Sequence, residues 1–146
     1  MKLSPHFSLS EFTLSQTAIR KGINNDPTSE VLGNLKVLCT RVLEPVRALL
    51  GHPMFITSGY RSPALNGAIG GSPNSAHIKG LAADFVCPMF GKPRDIAELI
   101  MAKDIEYDQM IYEGGWVHIS TADEPRRETL TALFDSDGVV YRVGIV

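Results

Sequence analysis

The chain has 146 residues, a length that fits one compact domain with a real core. An apolar share of 44% and a charged share of 21% are those of an ordinary soluble globular protein. The net charge of −2 leaves no basic excess to neutralise phosphates, which excludes nucleic acid as the main partner. No apolar run is long enough to span a bilayer, so stable membrane association is not expected. Met1–His6 has no apolar stretch of the signal-peptide kind, so synthesis in the cytoplasm is expected, with any target beyond the membrane reached by another route. A monomer is the default expectation.

The first segment, Phe7-Ser8-Leu9-Ser10-Glu11-Phe12, has the pattern of a short capped helix. Ser8 is followed three residues later by Glu11, as in a capping box. Phe7, Leu9 and Phe12 are apolar anchors for this arm. Asp26-Pro27-Thr28 opens the longest predicted helix, Thr28 to Leu50. Val31, Leu35, Leu38, Val42, Val46 and Leu49 recur on it at helical spacing. Pro45 predicts a kink, because its ring removes a backbone donor, and Gly51 predicts the stop.

Met54 to Thr57 reads as a strand running into Ser58-Gly59-Tyr60-Arg61-Ser62. Pro63 to Asn66 suggests a helical turn, and Gly67, Gly70, Gly71, Pro73 and Asn74 mark a loop. Leu81 to Cys87 is a second strand. Pro93 to about Lys103 is an amphipathic helix. Gln109–Glu113 and Trp116–Ser120 read as strands joined by a tight Gly114-Gly115 turn. Leu130–Phe134 and Val139–Val146 suggest a last hairpin. Helices and strands without strict alternation predict an α+β fold with a small, mainly antiparallel sheet flanked by helices, in a single domain over 1–146. Cys39 and Cys87, the only cysteines, read as free packing residues. Glu44, Arg47 and the run Glu124-Pro125-Arg126-Arg127-Glu128 read as solvated charge.

Two histidines and a carboxylate stand out: His77 in a loop, Asp84 on a strand with six residues between the two, and His118 on another strand. A catalytic zinc site uses three ligands of these types and leaves one position open for water. Strand alternation puts Val117 and Ile119 on one face and Trp116, His118 and Ser120 on the other. The competing reading is that both histidines are simply hydrogen-bonded polar residues.

Ser-Gly-Tyr-Arg-Ser, then Asn66, then Ser75-Ala76-His77-Ile78-Lys79-Gly80-Leu81-Ala82-Ala83-Asp84, then Trp116-Val117-His118 closely resembles the zinc D-alanyl-D-alanine peptidases. The resemblance is greatest to the branch with bacterial and phage cell-wall hydrolases, and it covers about Phe7 to Ser120. It implies Zn2+ held by His77, Asp84 and His118, with Arg61 in the site. An arginine there suits a terminal carboxylate or a developing oxyanion. Ser75 is a candidate for substrate contact or ligand orientation. Tyr60 and Trp116 are candidate walls of the substrate site, or else core aromatics.

A peptidase also needs a proton carrier. Several branches of the family place an acid three positions before the last histidine ligand, where this chain has Gly115. Glu113, five positions before His118, is the chosen base, with Asp108 as fallback. The expected activity is cleavage of peptidoglycan stem peptides, as D-alanyl-D-alanine carboxypeptidase or endopeptidase, in a phage or prophage lysis or tail-associated enzyme. The rival is a noncatalytic zinc-containing wall-binding or interaction module, of the kind suggested by the similar fold of the Hedgehog signalling domain.

Overall fold

The computed structural model describes residues 1–146. A small two-stranded sheet, β1 (Lys2–Ser4) and β2 (Phe7–Ser8), leads into α1 (Leu9–Thr13) and α2 (Gln16–Lys21). The capping box forms: the Ser8 amide donates to the Glu11 carboxylate at 2.7 Å. Sequence patterning did not predict α2. It begins where the Ala18 amide donates to Ser15 Oγ, and it ends at Gly22 with φ 64.

The long helix is present in three parts, α3 (Ser29–Leu38), a wide π turn (Cys39–Leu43) and α4 (Glu44–Leu50). Thr28 caps it by accepting from the Val31 amide. The disturbance expected at Pro45 takes the form of the preceding π turn, in which the Glu44 amide reaches back five residues to the Cys39 carbonyl. The helix therefore runs on through Pro45 without breaking, and Gly51 (φ 70) stops it.

Six strands form the main sheet: β3 (Phe55–Ser58), β4 (Ala82–Val86), β5 (Gln109–Tyr112), β6 (Val117–Ser120), β7 (Glu128–Asp135) and β8 (Gly138–Val143). Their order is β3-β4-β6-β5-β7-β8. All pairs are antiparallel except β5 with β7, so the fold is α+β with a mostly antiparallel sheet. Between β3 and β4 lie α5 (Pro63–Ala68) and a 3₁₀ turn (Ala76–Lys79); α6 (Pro93–Met101) precedes β5.

One face of the sheet meets the helices. Leu35, Leu38, Val42 and Val46 of the long helix, with Ile96 and Ile100 of α6, share a core with Phe85, Met110, Val117 and Ile119 from the strands. Each such side chain contributes roughly 1.5–3 kcal/mol by leaving water. Both cysteines are free and buried within this core, and burial pushes the Cys39 thiol up to about 12. Alternation along the strands leaves the opposite face for other residues.

Part of the expected solvated charge is structural. Glu44 accepts from Ser4 Oγ at 2.6 Å and from the His6 amide at 2.8 Å, pinning the N-terminal arm to the long helix. Burial pushes its carboxyl up, but the Ser4 and His6 contacts outweigh that and hold it below the ordinary value. A carboxyl depressed on folding stabilises above its unfolded pKa, and that contribution is lost as pH falls through the folded value. Glu44→Gln should therefore lower Tm at neutral pH. In thermal melts the difference from wild type should shrink as pH drops below roughly 4.3; a pH-independent difference would contradict the pairing. Arg127 also departs from the solvated reading, since its guanidinium donates to the carbonyls of Lys103 and Ile105 beyond α6.

Candidate metal centre

The site is built on the sheet face turned away from the helices. Asp84 on β4 is the cross-strand partner of His118 on β6, and His118 is the partner of Ile111 on β5. Directly opposed residues have Cβ atoms about 4.5–5.5 Å apart, so register alone sets the carboxylate beside one imidazole. His77 arrives differently. It sits in the 3₁₀ turn before β4, whose first amides are capped by Ser75 Oγ accepting from the His77 amide at 3.2 Å. Gly80 ends that turn at φ 73, a conformation glycine adopts at no steric cost, and its Cα faces Val31 closely enough that a Cβ would lie 2.9 Å from Val31 Cγ1. This contact seats the turn against the long helix.

The three donor atoms lie within 4.8 Å of one another. Asp84 Oδ1 is 2.9 Å from His118 Nδ1 and 3.3 Å from His77 Nε2. His77 is buried and its Nδ1 is 2.7 Å from the Gly59 carbonyl. A carbonyl only accepts, so Nδ1 carries a proton, and Nε2 is the ring atom turned toward Asp84. The outer hydrogen bond to Gly59 also fixes the tautomer that a metal-binding histidine requires. Two imidazoles and one carboxylate, with a position left open, fit zinc.

The ion-pair geometry is visible in Asp84 itself. Burial pushes its carboxyl up, yet hydrogen bonds and charge from His118 and His77 win and hold it well below the usual carboxylate range. It stays ionised where a metal needs it.

The loop after β3 is held by a residue that sequence reading did not single out. Buried Asn25 accepts from the Ser62 amide at 2.7 Å and donates to the Tyr60 and Thr13 carbonyls. Gly59 presses on α1, where a Cβ would fall 2.6 Å from Phe12 Cα. Gly59→Ala should thus cost about 1–3 kcal/mol of overpacking and shift the carbonyl that holds His77. The expected result is a lower Tm together with weaker zinc binding in a chelator titration; unchanged values for both would overturn this role.

A pocket of ≈ 520 Å³ surrounds the three donors, and Arg61, Ser75, Glu113 and Trp116 all line it. The Arg61 amide donates to the His77 carbonyl at 3.1 Å, tying the two loops together. Its Nε is buried without a partner, a donor available to a ligand. Burial lowers the Arg61 pKa, with the charges of Asp84 and Glu113 acting against it. Glu113 lies in the turn between β5 and β6, where the Gly115 amide donates to the Glu113 carbonyl around Gly114 at φ 80. Trp116 Nε1 donates to Glu113 Oε2 at 2.7 Å. Burial raises the Glu113 carboxyl, and Asp84 raises it further against the opposing pull of Trp116 and the histidines.

Two expectations change. Tyr60 is a core residue, 5% exposed, and is not part of this pocket's lining; its amide donates to the Phe12 carbonyl, which draws the ring inward with α1. Glu113 and Trp116 belong to the turn rather than to strands, because the last paired residues are Tyr112 and Val117. Asp108 lines the far side of the pocket, where Arg126 binds it at 2.9 and 3.0 Å. That ion pair holds its carboxyl below the ordinary value and makes it a poor proton acceptor. A second cleft, ≈ 570 Å³, runs along the outer side of β3 and shares Arg61, but it holds no cluster of metal-binding side chains.

Comparison with curated proteins finds no match. The family profile described as Peptidase M15 matches residues 5–120. That segment reaches from the N-terminal arm through β6 and contains all three converging donors. The chain belongs to the peptidase M15 family, the zinc D-alanyl-D-alanine peptidases.

Proposed function

We propose that this protein hydrolyses the stem peptides of peptidoglycan as a zinc-dependent D-alanyl-D-alanine-type carboxypeptidase or endopeptidase, in the setting of a phage or prophage lysis or tail-associated enzyme. The observation that carries this reading is the convergence of His77, Asp84 and His118 with Arg61 and Glu113 on one pocket.

Zinc held by those three side chains supplies Lewis acidity to the site. The chain's own residues do the rest. Glu113 Oε2 is engaged by Trp116, which leaves Oε1 to take a proton from the attacking water. The carboxyl then passes that proton to the leaving amine as the C–N bond breaks and the hydroxyl remains on the carbonyl carbon. Its burial raises its pKa toward the range where it can both accept and donate. Arg61 offers an unpaired guanidinium nitrogen to the terminal carboxylate of a D-alanine or to the oxyanion. Ser75 holds the His77 turn and faces the same pocket.

The direct test is mass spectrometry of purified stem peptides after incubation with zinc-loaded protein, beside a His77→Ala control. Loss of a terminal D-alanine identifies a carboxypeptidase, and cut cross-links identify an endopeptidase. Intact stems with zinc bound would sink the peptidase reading in favour of a noncatalytic zinc module.

A further inference from the structure

The family match ends at residue 120, yet the pocket does not. Arg126 and Tyr141, both beyond that point, line it with Asp108 and Ile111. Tyr141 lies on β8, the edge strand farthest from β3. It reaches the site because of register. His118 pairs with Ile111, Ile111 with Leu130, and Leu130 with Val143. Those residues share the site face, and alternation puts Tyr141 and Val139 on it as well. The residue opposite Tyr141 is Ala132, small and 5% exposed. A small partner leaves room for the ring to lean across β7 toward the pocket.

The two ends of the pocket thus come from opposite edges of the sheet. Arg61 follows β3 at one edge, and Tyr141 stands on β8 at the other. With a terminal carboxylate at Arg61, the acyl side of a bound peptide runs across the strands toward Tyr141. That end continues outward as an apolar strip on the same face, carrying Phe134, Val139 and Val143, all exposed. A dipeptide needs none of this surface.

We infer that Tyr141 is a specificity-determining residue that selects substrates with a peptide chain extending on the acyl side of the scissile bond, such as a full stem peptide, over simple acyl dipeptides. This rests on the peptidase reading above. The ring supplies a rigid apolar contact, at little entropy cost, for the methyl-rich residues of a stem. Phe134, Val139 and Val143 extend that contact for longer or cross-linked chains.

The test compares a synthetic stem pentapeptide with N-acetyl-D-alanyl-D-alanine in steady-state hydrolysis by the zinc-loaded full chain. Wild type should favour the pentapeptide. Tyr141→Ala should lower the pentapeptide-to-dipeptide ratio of kcat/KM roughly tenfold, with the loss in KM rather than kcat. Tyr141→Phe should restore the ratio, since the ring and not the hydroxyl makes the contact. A ratio unchanged in Tyr141→Ala, while wild type cleaves both peptides, overturns this inference and leaves the peptidase reading standing. Wild type that cleaves neither peptide overturns the peptidase reading and this inference with it. A wild-type dimer in sedimentation that Val143→Asp disperses, with the ratio unchanged in Tyr141→Ala, would assign the strip to a second copy of the chain instead.

Discussion

Replacing Glu113 by glutamine should abolish turnover while zinc stays at one per chain. Removing a positioned general base typically costs about 10²–10⁴-fold in rate. The substitution keeps the shape of the side chain and its capacity to accept from Trp116 Nε1, so the turn around Gly114 should persist. The amide cannot accept a proton at the pH of the assay, so the loss should appear in kcat. Metal analysis of the same samples separates this from loss of the ion. Full activity in Glu113→Gln would remove it as the base. Asp108 would not be a ready substitute, because Arg126 already occupies its carboxylate. The position three residues before His118 is Gly115, which bears no carboxyl, so the burden falls on a residue in the turn itself.

His118→Ala should lose the metal and melt at a lower temperature. A ligand that binds only the folded state adds about 2.7 kcal/mol at a hundredfold excess over its Kd, worth roughly 5–10 °C in Tm for a domain of this size. The apo forms of mutant and wild type should differ much less. His118 is 12% exposed at its side chain and its main structural partner is Asp84, so the alanine opens only a small gap on the site face. Zinc content unchanged in His118→Ala would refute the ligand set. Equal Tm values for wild type with and without zinc would instead refute the coupling of metal to fold.

Much of the architecture was legible in the chain. The long helix announced itself by its apolar repeat from Val31 to Leu49, and the structure keeps it continuous from Ser29 to Leu50 through one π turn. Such repeats are local, and their burial is decided by spacing alone. The strands carrying Asp84 and His118 were legible for the same reason: Phe85, Val117 and Ile119 alternate with them and go to the core. Asn25 was not legible. Its three hydrogen bonds hold Thr13, Tyr60 and Ser62, up to 37 residues away, and no pattern around Asn25 marks it. Tyr60 is the opposite case, a residue inside a conspicuous motif that could be read as a substrate wall or a core aromatic, and its burial in the core was decided by packing.

The sequence by itself determined the donor types, their order along the chain and the strand faces they occupy, because side-chain chemistry and the two-residue period of a strand are local properties. Only the tertiary structure decided that Asp84 lies opposite His118, that Gly59 sets the tautomer of His77, and that Arg126 and Tyr141 close the pocket from the far edge. Those outcomes depend on strand order and register. Both are fixed by which apolar faces pack together across the whole chain, and no short window of residues contains that information.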